Sequence, residues 1–142
     1  MRKVKYEARE LERFKRRARK RYPEEYIETL WGRIEPDAFY VEKFVPVPFR
    51  RYGRLSIEYD KADALKLFGE QASKLGLIWI GSIHSHPDSS GPEPTDTDNA
   101  GARQDGEHVF AIYELSRPEN SKRLRSKTVW WPTQIPVEAA PI

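Results

Sequence analysis

Ile83-His84-Ser85-His86-Pro87 is followed, after a short polar stretch, by Thr95-Asp96-Thr97-Asp98. Two of the chain's three histidines stand one residue apart, and Asp98 follows the second by twelve positions. Side chains at i and i+2 of an extended segment point the same way, so His84 and His86 can reach one ion while Ser85 points elsewhere. Asp98 adds a carboxylate oxygen. Two imidazole nitrogens and one carboxylate suit a single zinc ion that keeps a fourth position for water, the arrangement of catalytic rather than structural zinc. Zinc lowers the pKa of such a water toward ~7.

Thr95 reads as the N-cap of a short helix, with Asp96 and Asp98 in the first turn, where the helix dipole favours carboxylates. Asp98 then projects toward the same point as the Thr95 hydroxyl. Hydrolysis also needs a base that is not itself a ligand. Asp88, Glu93 and Asp96 lie within the motif segment, and Glu24, Glu25 and Glu28 lie upstream. Residue chemistry leaves all six open. Two close histidines alone are as readily a polar loop; the aspartate, the cap hydroxyl and the strand–loop–helix setting favour a metal site. His-Glu-x-x-His does not occur, and a chain without cysteine cannot carry the Cys-x-x-Cys of the base deaminases. His108 begins an apolar strand and reads as structural.

The elements that must position these residues follow from pattern. Leu11, Phe14 and Ala18 give residues 5–20 the stripe of an amphipathic helix, and Tyr22-Pro23 stops it. Residues 25–34 read as a strand interrupted at Gly32, then Glu35-Pro36-Asp37 as a turn. A second strand spans 38–47, and Pro46 and Pro48 end it or place it at an edge. Leu55-Ser56-Ile57 suggests a short strand. Asp60 caps a helix over 61–75, which exits at Leu75-Gly76. The apolar run 77–83 reads as a strand buried on both faces, with the histidines just beyond its end. Residues 87–94, with three prolines, two serines and a glycine, form a loop before the Thr95 helix, which ends around 104–106. Strands over 108–113 and 128–131 follow, and a proline-rich tail meanders from about 132. Uneven alternation of helices and strands predicts an α/β fold with α+β character, a mixed sheet flanked by helices.

Composition bounds the alternatives. At 142 residues the chain is expected to be one domain. The absence of cysteine excludes disulfides, thiolate metal sites and a cysteine nucleophile. No apolar run has the length of a membrane span, and the charged N-terminus is unlike a signal peptide, so a cytoplasmic setting with no membrane partner is expected. Net charge is +3, and the excess is local: residues 13–21 hold seven basic groups and no acid. Such a run can bind nucleic acid or an acidic protein face, but no nucleic-acid module accompanies it, so a solvated helix face is favoured and nucleic acid is not the expected partner.

The motif half of the chain resembles the His-x-His…Ser-x-x-Asp signature of the JAMM (MPN-plus) metalloproteases: His84-Ser85-His86-Pro87, seven residues, then Thr95-x-x-Asp98. Members also carry an upstream glutamate after the first helix, preceded by a proline and followed seven residues later by a glycine that ends the strand. Pro23, Glu25 and Gly32 reproduce that layout. Element order matches over most of residues 5–131. Two positions depart from the pattern. Thr95 stands where serine is usual, which keeps the hydroxyl and adds a methyl. Glu28 stands where glycine is frequent, three residues after the glutamate.

The resemblance implies the JAMM/MPN (cytidine-deaminase-like) architecture, with His84, His86 and Asp98 as ligands of one zinc ion. It makes Glu25 the general base and Thr95 the hydroxyl that stabilises the oxyanion. Glu25 would take a proton from the attacking water and return it to the leaving amine of a peptide or isopeptide bond. The implied substrate is a ubiquitin-like protein or its conjugate. Only nine residues, Asn99 to Glu107, separate Asp98 from His108, too few for the insertion with which deubiquitinases grip ubiquitin. A compact core of prokaryotic or viral type is therefore expected, of undetermined oligomeric state. The competing readings are a scaffold without turnover and a partner- or nucleic-acid-binding module built on the basic helix.

Overall fold

The computed structural model describes residues 3–46, 49–52, 57–59, 66, 69–70, 72–87, 108–117, 125–131 and 137–142. Chain order runs β1 (Lys3–Tyr6), α1 (Ala8–Arg21), β2 (Ile27–Ile34), β3 (Ala38–Pro46), β4 (Phe49–Tyr52), β5 (Ile57–Tyr59), β6 (Ile78–Pro87), β7 (Val109–Ser116), β8 (Arg125–Trp131) and β9 (Ala139–Pro141). The predicted helix bearing Thr95 and Asp98, the loop from 88 to 94, much of the helix over 61–75 and part of the tail lie outside the described residues.

Seven strands form one sheet in the order β8-β7-β6-β2-β3-β1-β9, and β4 pairs with β5 separately. β1 runs parallel to β3 and β9, and β6 parallel to β7. The remaining pairs of the large sheet are antiparallel. This is the mixed sheet that the alternation of elements predicts.

The helix forms because its apolar positions share one face. Leu11, Phe14 and Ala18 are buried, and the basic groups Arg19, Lys20 and Arg21 stand in the last turn, where the macrodipole favours them. Glu7 caps the start by accepting from the Arg9 amide. Phe14 is the hub of the core, its ring 5.7 Å from Tyr26, 5.8 Å from Tyr113 and 6.2 Å from Phe44. The α1-facing side of the sheet is thus fixed by aromatic packing, worth more than its area alone.

The second helix is described only in part, but its exit is clear. The Leu77 amide reaches Ala72 O at 2.9 Å and the Gly76 amide reaches Ser73 O at 3.1 Å, with Gly76 at φ 72°. That is a Schellman closure, and it needs the left-handed conformation that glycine adopts freely.

Several expectations need correction. Residues 5 and 6 are strand, not helix, because Lys3–Tyr6 pair with Ala38–Val41 and bury Val4. The strand expected from 25 begins at Ile27. Gly32 does not end it: β2 bulges between Trp31 and Gly32 and continues to Ile34. A Cβ at Gly32 would stand 1.7 Å from Tyr40 O, so the close approach of β3 demands glycine. β3 ends at Pro46 but is internal, flanked by β2 and β1. The histidines are not beyond the strand end; β6 carries them, paired with β7 as far as Pro87↔Leu115. The tail does not simply meander. Ala139–Pro141 pair with β1, giving partners to backbone groups on an otherwise open edge.

Candidate metal centre

Sheet register brings the upstream segment to the histidines. Ile27 lies opposite His84, and the Ser85 amide donates to Tyr26 O at 2.8 Å. Glu25, the next residue back, therefore arrives beside the pair. A carboxylate oxygen of Glu25 and ring nitrogens of His84 and His86 all lie within 4.8 Å of one another, a group that could hold a metal ion. Glu25 and His84 are half-buried, and His86 is 1% exposed.

The two imidazoles converge through the same atom. His84 Nε2 and His86 Nε2 are 2.9 Å apart, with ring centroids at 4.8 Å. A hydrogen bond between two such nitrogens requires one to carry a proton, whereas an ion requires lone pairs on both. Two nitrogens on one tetrahedral zinc at 2.0–2.1 Å stand about 3.3–3.4 Å apart. An opening of about half an ångström would thus fit the pair to a zinc-sized ion. The donor set, imidazole with carboxylate, is of the borderline kind that zinc and similar ions accept.

The upstream glutamates separate by place. Glu28 is fully buried, bound through Oε2 to Arg17 Nε at 2.6 Å and through Oε1 to Arg17 Nη2 at 3.0 Å. Its Oε2 also accepts the Tyr26 hydroxyl at 2.5 Å. Arg17 is raised above its ordinary value, first by that hydrogen bond to Glu28. Glu28 is therefore part of the α1–β2 packing. Glu24 is half-buried, and its amide donates to Arg21 O at 2.8 Å. Among the described residues, Glu25 is the carboxylate grouped with the histidines. Thr95, Asp98, Asp88, Glu93 and Asp96 lie outside the described residues. His108 is exposed, its amide bound to Ile80 O at 2.8 Å and its ring 6.1 Å from Phe39.

Two residues went unread in the sequence. The strand alternation predicts only that Ser85 points away from the histidines. It does, but into the core: it is 1% exposed and its Oγ accepts the Tyr26 amide at 2.9 Å. The alternation that aligns His84 with His86 was the available signal. Glu114 pairs with His86 in the parallel register, so it shares that face of the sheet. The choice of β7 as neighbour gave no local signal.

Several groups of the basic run have partners within the chain. Arg13 pairs with Glu10 at 2.7 Å and Lys15 with Glu12 at 3.4 Å. Arg19 reaches Tyr113 Oη at 3.1 Å and Ser126 Oγ at 3.4 Å. Among the described residues, no helix is long and apolar enough to cross a membrane.

Fold and site together define an α/β mixed-sheet domain with a Glu/His/His group able to hold a metal ion. The family of prokaryotic homologs of the JAB domain matches residues 7–130, and the chain belongs to this JAB/MPN family. The solution structure of protein DSY2949 from Desulfitobacterium hafniense is similar at 20% identity and a TM-score of 0.66, over 98% of this chain and 92% of that one. The crystal structure of AF2198, a JAB1/MPN domain protein from Archaeoglobus fulgidus, is similar at 16% identity and a TM-score of 0.57, over 97% and 98%. At these identities the likeness is one of fold. No curated protein matches the chain.

Proposed function

We propose that this chain is a zinc-dependent peptidase or isopeptidase that removes or processes a ubiquitin-like protein. The observation that carries the reading is the meeting of Glu25 with His84 and His86 within 4.8 Å, across a sheet register that spans some sixty residues of chain. Carboxylate and imidazole converging on one point, in a family that includes metalloproteases, favour hydrolysis over a silent scaffold.

His84 and His86 would hold the ion, with Asp98 as third ligand by resemblance. A divalent ion there supplies Lewis acidity, which makes water nucleophilic near neutral pH and polarises a carbonyl. Glu25 takes a proton from the attacking water and delivers it to the leaving amine. Thr95, by the same resemblance, donates its hydroxyl to the developing oxyanion. Glu25 is half-buried, which leaves its carboxylate in reach of water while it stands beside the histidines.

Metal analysis of the gently purified protein, paired with a panel of ubiquitin-like fusions, tests this reading. Stoichiometric zinc and cleavage that a chelator abolishes are expected. A metal-free protein, or cleavage indifferent to chelation, would overturn it.

A further inference from the structure

We propose that Ser85 is a positioning residue, whose buried hydroxyl takes the Tyr26 amide and so holds Glu25 at the histidine pair. β2 and β6 are antiparallel, with Ile27 opposite His84, so the next pair outward is Tyr26 with Ser85. In a continued ladder those two would exchange both backbone bonds. One of them forms, from the Ser85 amide to Tyr26 O at 2.8 Å. The reciprocal bond runs from the Tyr26 amide to Ser85 Oγ at 2.9 Å, in the place where a carbonyl would serve. The two acceptors differ in direction: the carbonyl lies in the plane of the sheet, whereas the hydroxyl stands on its core face. The chain therefore leaves the ladder here while its last amide remains satisfied.

Tyr26 is fixed from the other side as well. Its ring packs 5.7 Å from Phe14, and its hydroxyl donates to Glu28. With backbone and ring both held on the α1 side, alternation sends the Glu25 side chain to the opposite face, where His84 and His86 stand. Ser85 is 1% exposed and Tyr26 4%, so water cannot readily replace the hydroxyl. The middle residue of His84-Ser85-His86 thus organises the third member of the group through the Tyr26 backbone.

The catalytic consequence rests on the peptidase reading; the clamp itself does not. Ser85→Thr and Ser85→Val compare two side chains of one shape that differ in the hydroxyl. Amide exchange in the full-length protein, resolved by NMR, should be roughly tenfold faster for Tyr26 in Ser85→Val than in Ser85→Thr, with Leu30 and Ile83 unchanged. Turnover of a cleaved fusion should fall about 10–100-fold in Ser85→Val and recover in Ser85→Thr, the range typical for groups that orient a metal site. If valine prevents folding, Ser85→Ala repeats the comparison without added bulk. Equal Tyr26 exchange in the paired variants would overturn the clamp. Faster exchange with unchanged turnover would overturn its positioning role. If the wild type binds no metal and cleaves nothing, the peptidase reading falls, and the exchange result alone decides the clamp.

Discussion

Arg17 on α1 holds the fully buried Glu28 on β2 through two bonds, 2.6 Å and 3.0 Å long. The arrangement is bidentate, the strongest form of the pair, and it ties the helix to the strand that leads to Glu25. Removing one partner of a fully buried pair costs about 3–5 kcal/mol. The Arg17 side chain is 36% exposed, so water can partly replace it. Arg17→Met should therefore cost about 2–3 kcal/mol in urea denaturation. The double variant Arg17→Met/Glu28→Leu should recover only part of that loss: no charge is left buried, but the Tyr26 hydroxyl loses its acceptor.

The exposed pair of Lys15 and Glu12 provides the contrast. It is 3.4 Å long, with Glu12 60% exposed at its side chain. Lys15→Ala should change stability by less than about 0.5 kcal/mol in the same measurement. A large effect there would mean that the basic run contributes to the fold beyond Arg17 and Arg19.

Phe14 has no exposed surface and meets three aromatic rings. Phe14→Ala should cost about 3–5 kcal/mol by chemical denaturation, the range for emptying a tightly packed aromatic site. Phe14→Leu, which refills part of the space, should cost distinctly less.

Two glycines should respond with opposite sign to alanine. At Gly32 the added carbon would meet Tyr40 O at 1.7 Å, whereas at Gly69 nothing among the described residues lies within 4 Å. Gly69 is helical, so Gly69→Ala should stabilise by about 0.5–1 kcal/mol. Gly32→Ala must push β3 away from β2 and should cost several kcal/mol, read as a lower melting temperature or loss of soluble protein.

What the sequence disclosed followed the range of the interactions. His84 and His86 were legible together because a strand's period of two is local. The stripe of Leu11, Phe14 and Ala18 was legible because a helix repeats every few residues. Glu25 was not singled out by residue chemistry, since only the β2–β6 register brings it to the histidines; it entered by resemblance. β1 and β9 are not legible because each is too short for a strand period to show, and the Lys3 and Lys5 of β1 resemble a helix's polar face. Ser85 was read for its direction but not its destination: the face opposite the histidines is not solvent but the core beneath α1.

In the proposed peptidase Glu25 works beside the metal as the base, while His86 holds the ion, although all three side chains could reach one ion. Metal content and turnover, measured together on Glu25→Gln and His86→Ala, test this assignment most directly. Glu25→Gln should retain stoichiometric zinc and lose turnover by about 100-fold or more, the contribution of a general base. His86→Ala should lose both. Loss of zinc from Glu25→Gln, or turnover that survives the substitution, would contradict the account.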